Sequence, residues 1–189
     1  MRRLWSARRA RAALMAASLL AGLPAGVVAH PHIWVTYAIV LPLGPQGLEA
    51  VQFVWTFDEL FSGMILGAGG RGADAPADTH LRTLRAIPHV IEVFHDGAAV
   101  ELGEPGDLAV SVADHQVTYR FSVPLRRPVA APGVVDVHVD DPGLFTAFTL
   151  RAPNPTEIRS SGPLTAGCDR ARLPSGAPGP IRCVLKLTP

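Results

Sequence analysis

Alternation of apolar and polar positions with a period of two dominates the chain from residue 32 onward. "HIWVTYAIVL" (32–41) is rich in β-branched and aromatic residues, and "LEAVQFVWTF" (48–57) alternates, with residues 42–47 between them as a turn. The two stretches predict a β-hairpin, because a period of two turns one face of each strand to a core. The period then changes. In "DELFSGMIL" the residues Leu60, Phe61, Met64 and Ile65 recur at helical spacing, and Asp58 stands where an N-cap belongs. Residues 67–77, "GAGGRGADAPA", have the composition of a linker, and a second short helix is expected from Asp78 or Thr79 through Ala86, ended by Pro88.

Strand signals resume after Pro88. "HVIEVFHDGAAVEL" is a hairpin with Asp96-Gly97 as its two-residue turn, and "DLAVSVADHQVTYRFSVPL" gives two strands around residues 113–115. "GVVDVHVDD" and "LFTAFTLR" supply a further pair, and the chain from Pro153 on reads as a Pro- and Gly-rich tail. No internal repeat or heptad pattern is present. The expected fold is mainly β: a single antiparallel β-sandwich-like domain with one or two short helices.

The first 29 residues follow a different rule. They carry five arginines and no acid, then an apolar run of 12 residues (12–23), then Pro24, Gly26 and small residues up to Ala29. This is the layout of a secretory signal peptide. The run is shorter than the roughly 20 residues a membrane span needs, so a cleaved leader is the stronger reading. Arg8-Arg9 hints at twin-arginine export. The expected organisation is a leader over 1–29, a β-rich domain over 30–165 and a tail over 166–189, in a periplasmic protein with no permanent membrane span.

Removing the leader changes the charge. It takes five of the 17 basic residues, leaving 12 against 16 acidic ones, so the mature net charge is −4. With no basic run beyond Arg126-Arg127, nucleic acid is not an expected partner. Cys168 and Cys183 are the two cysteines, and an exported chain with an even count is expected to oxidise them. That bridge closes a loop of about 15 residues, worth roughly 3 kcal/mol in the chain-entropy picture.

Candidate chemistry begins at "HPH". His30 and His32 stand two apart in an extended segment, so their imidazoles share a face, and cleavage before His30 would add its free amine as a third donor. Pro31 has no amide N–H to ionise, which excludes a chelate through that nitrogen. The bland alternative is a pair of polar residues opening an edge strand. A second candidate is "DVHVDD", where Asp136, His138 and Asp140 alternate with valines, as they would on any half-solvated strand. Asp141 enters a D-P-G turn, where it can bond its own backbone. Asp58 and Glu59 could reach a cation or simply serve the helix N-terminus. His80, His89, His95 and His115 lack paired spacing and are expected on the surface. Enzyme signatures are missing: there is no G-x-S-x-G, H-E-x-x-H or phosphate-cradling loop.

Taken in order, "HPHIWV", "WTFDELFS", "HDGAAVELGEP", "VDDPGLFTAFTL" and a late cysteine resemble a bacterial periplasmic family, domain of unknown function 1007. Members are usually labelled the periplasmic component of an ABC-type transport system and accompany nickel, cobalt or zinc transport. The resemblance implies metal-site roles for His30, His32, Asp58, Glu59 and Asp141, and a membrane metal transporter as partner. Many relatives carry an acidic, calcium-loop-like insert after the helix; Asp74 and Asp78 are too few and too poorly spaced to form one here. A ligand-clamping transport protein has two α/β lobes, which a mostly β chain of this length cannot supply.

Three functions follow as expectations. The first is a non-enzymatic periplasmic accessory protein that binds Zn²⁺, Ni²⁺ or Co²⁺ through His30 and His32 with an acid from Asp58, Glu59 or Asp141. The second is a copper enzyme with an N-terminal histidine brace, using His138 as third nitrogen. The third is a metal-free adaptor that docks on a permease through a sheet edge.

Overall fold

The expected first hairpin is present in the computed structural model, which describes residues 32–68, 84, 90–152, 156–172 and 178–187. Strand β1 (Ile33–Gly44) pairs antiparallel with β2 (Gly47–Phe57), from Val35 opposite Phe57 to Gly44 opposite Gly47. Gly47 is required there: its φ is +128°, and a Cβ would run into the Val129 carbonyl. After Phe57 the chain turns into helix α1 (Glu59–Ala68). Of the second expected helix only Leu84, which is buried, falls within the described residues.

The remaining strands are β3 (Ile91–His95), β4 (Ala98–Ala99), β5 (Gly106–Ala113), β6 (Gln116–Val129), β7 (Gly133–Val139), β8 (Thr146–Leu150), β9 (Thr156–Ser160), β10 (Leu164–Arg172) and β11 (Pro178–Leu187). The β3–β4 turn has Asp96 at φ 49° and Gly97 at 81°; the β5–β6 turn has Asp114 at 49° and His115 at 61°. Two successive positive φ values match the twist of the flanking strands, and short polar residues tolerate them best.

Two sheets result. One runs β5-β6-β2-β1-β8, with β9 also on β1; the other runs β10-β11-β7-β3-β4. The pairings are antiparallel except that β8 and β9 both run parallel to β1. Two sequence expectations are corrected here. "GVVDVHVDD" and "LFTAFTLR" do not pair with each other: β7 lies between β11 and β3, while β8 crosses to the other sheet. The described part of the Pro/Gly-rich tail from Pro153 on holds β9 on the first sheet and β10 and β11 on the second, with Ile181, Cys183 and Leu185 at most 1% exposed. Glycine and proline at its turns masked an alternation that continues through "PIRCVLKL".

The core lies between the sheets. β1 contributes Ile33, Val35, Tyr37, Ile39, Leu41 and Leu43, all on one face by alternation. Trp55 meets Phe121 edge-on at 4.9 Å between ring centroids, and Phe57 meets Tyr119 at 5.0 Å. Such pairs add about 1 kcal/mol each beyond area burial. Cys168 and Cys183 are directly opposed on β10 and β11 and form a disulfide, as the sequence suggested. No helix among the described residues is long and apolar enough to cross a membrane.

Candidate functional site

The sequence candidates His32, Asp58, Glu59 and Asp141 gather around the N-terminal end of β1. His30 lies outside the described residues. His32 is exposed. Its amide and that of Ile33 both donate to Phe145 O, at 2.8 and 3.2 Å, and its ring sits 5.2 Å from the Phe145 ring.

Asp58 joins β1 to the start of α1. Its Oδ1 accepts the Phe61 amide at 3.0 Å, the expected N-cap bond, and its Oδ2 accepts the Trp34 amide at 2.8 Å. Its own amide donates to Trp34 O at 2.9 Å. Glu59 occupies the first helical turn and is exposed, where a carboxylate suits the helix dipole. Ser62, which the sequence reading passed over, is fully buried: its Oγ donates to Phe57 O and accepts the Val117 amide, fixing α1 to β6.

Asp141 organises the crossover from β7 to β8. It is 6% exposed, and it accepts three backbone amides: Gly143 on Oδ1 at 2.8 Å, and Phe145 at 3.1 Å and Thr146 at 2.8 Å on Oδ2. A carboxylate without these donors would not be buried so deeply. The loop it shapes ends at Phe145, whose carbonyl holds the start of β1. Both oxygens of Asp58 and both of Asp141 are thus spent on backbone amides, and the fold gives each of them an architectural task.

His138 stands elsewhere. It is opposite Glu92 on β3, and its ring packs against Phe94 at 5.1 Å. Its neighbour Asp136 is taken by a two-point ion pair with Arg182, at 2.7 and 2.9 Å. Among the described residues no group of three His, Cys, Asp or Glu side chains is placed to hold a metal ion. His115 is exposed in its turn, as expected, whereas His95 is half-buried; His80 and His89 lie outside the described residues.

Several large apolar side chains on the segments that lead into and out of this end of β1 are exposed. Trp34 is 49% exposed, Leu60 70%, Met64 60%, Leu144 59% and Phe145 53%. Alternation could have located Trp34, which shares its face with His32 and Thr36; nothing in the sequence marks Leu144 or Phe145 as exposed.

A family model described as a protein of unknown function (DUF1007) matches residues 15–177. The chain belongs to that family. A comparison with curated proteins gives no match. The match takes in every segment of this DUF1007 protein that builds the N-terminal end of β1: the HPH opening, the Asp58 junction and the Asp141 crossover.

Proposed function

We propose that this protein is an exported accessory component of a transition-metal transport system, working from the end of the sandwich where β1 begins. His30 and His32 take a divalent ion, Zn²⁺, Ni²⁺ or Co²⁺, and the surrounding apolar side chains meet a membrane partner. One observation carries the reading: His32 is exposed immediately before β1, anchored through its backbone to Phe145, with Trp34, Leu144 and Phe145 exposed nearby in the chain or in contact with it. Exposed apolar groups clustered beside a polar centre are characteristic of a contact surface. The engagement of Asp58 and Asp141 by backbone amides shifts the weight of ligation onto the two histidines and the His30 amine, with Glu59 the available acid. Intramolecular disulfide formation accords with an oxidising compartment. Calorimetric titration of Zn²⁺ or Ni²⁺ into protein beginning at His30 tests the reading, and uptake should vanish when both histidines are replaced.

A second reading keeps the docking surface without the metal. It is favoured by the same commitment of Asp58 and Asp141, which leaves fewer oxygen donors than the family resemblance implied. Undiminished binding to the transporter by the doubly substituted protein would select it.

A further inference from the structure

The seam between the sheets opens, away from the β1 terminus, into a cleft of about 270 Å³. Tyr37 and Phe148 wall it from the first sheet, and His138, Val139, Asp140 and Arg170 from the second. Register explains how these residues meet. Phe148 lies opposite Val35, so it shares the inward face of Tyr37, two residues on. Arg170 lies opposite Ile181, which lies opposite Val137. Arg170 therefore has the inward parity of two core residues, yet it is exposed because β10 is the edge strand. A guanidinium thus stands at the mouth of the seam, with Asp140 and His138 on the same cleft wall.

The polar groups of the cleft are not spent on one another. The Tyr37 ring meets Phe148 edge-on at 6.2 Å. Burial raises the Tyr37 hydroxyl above its ordinary pKa, and Arg170 and Asp140 act on it in opposite directions, so both charges are within electrostatic reach of it. Among the described residues the Tyr37 hydroxyl has no hydrogen-bond partner, and Arg170 and Asp140 form no ion pair with each other. Asp140 uses Oδ1 for the Asp141 amide at 3.0 Å.

We propose that this cleft binds a small zwitterion of the α-amino-acid type, its carboxylate on Arg170 and the Tyr37 hydroxyl, its ammonium toward Asp140, and its apolar part against Phe148 and Val139. Guanidinium and hydroxyl together match a carboxylate in geometry and charge. The volume lies just under the range of about 300 Å³ and upward usual for ligand pockets, which restricts the ligand to a few heavy atoms. The site is separate from His30 and His32, with His138 on its wall, and it stands without the metal reading.

NMR titration of the metal-free, processed protein with L-alanine, propionate and n-propylamine tests it. L-Alanine should give saturable shifts at Tyr37, Phe148 and Arg170, and propionate and n-propylamine should each bind at least tenfold more weakly. Arg170→Gln and Tyr37→Phe should each weaken L-alanine at least severalfold while leaving the remaining spectrum in place. Absence of saturation by L-alanine, equal binding of propionate, or full affinity in Arg170→Gln would overturn the proposal.

Discussion

Asp58 and Trp34 hold each other twice: the aspartate Oδ2 accepts the Trp34 amide at 2.8 Å, and the aspartate amide donates to the Trp34 carbonyl at 2.9 Å. The same carboxylate caps α1 through Phe61. One side chain therefore sets the angle between the helix and the strand that presents His32.

Asp58→Ala should destabilise the metal-free protein by about 1–2 kcal/mol, the range for loss of an N-cap with an added amide contact. Asp58→Asn keeps an acceptor and should cost less. Urea denaturation in the presence of a chelator measures both. A ligand-only role would leave the metal-free stability unchanged.

Asp141→Ala should be the more damaging substitution, at about 3 kcal/mol or more, because three amides around a buried carboxylate lose their acceptor together. The crossover should loosen with it, seen as faster amide exchange at Phe145 and Thr146 than anywhere in β2. Unchanged exchange there would show that the turn closes without the aspartate.

How much of this was legible beforehand depended on the range of the interaction. Local signals worked: alternation in β1 and β2, Asp96-Gly97 as a turn, and Asp58 before a helical period all describe contacts within a few residues. The parallel placement of β8 on β1 was invisible, because it follows from the crossover that Asp141 ties, and a D-P-G stretch reads equally well as a hairpin turn. β10 and β11 were hidden for a compositional reason, since their glycines and prolines weigh toward coil although Ile181, Cys183 and Leu185 alternate into the core. For the candidate site, the sequence singled out Asp58 and Asp141 but not the backbone amides they accept. A carboxylate offered to a metal and one offered to backbone amides have the same letter, and only the position of the amides separates them.

Cys168 and Cys183 should resist alkylation under native, non-reducing conditions and react fully once reduced and unfolded, since they are bonded to each other across β10 and β11. Reduction should lower stability by about 3 kcal/mol. Immediate labelling of both thiols in the native, unreduced protein would contradict this.

The chain has two tyrosines, Tyr37 and Tyr119, and burial raises both, Tyr119 to about 12. The folded protein should therefore develop little tyrosinate absorbance at pH 10, where unfolded protein is half ionised. The sign follows from linkage: the unfolded state releases these protons first, so their contribution to stability is complete below pH 10 and is lost as pH rises through the folded values. Spectrophotometric titration in native buffer and in denaturant checks it, and coincident curves would refute it.

The account rests on His30 and His32 acting together at the start of β1, and one measurement addresses this most directly: calorimetric titration of Zn²⁺ and Ni²⁺ into protein whose first residue is confirmed as His30 by mass spectrometry. His32→Ala should weaken binding at least tenfold, about 1.4 kcal/mol. His115→Ala, in an exposed hairpin turn, should bind as the unsubstituted protein does. Equal affinities for the unsubstituted protein and His32→Ala would show that the histidines only open a strand, and would contradict the metal-binding account.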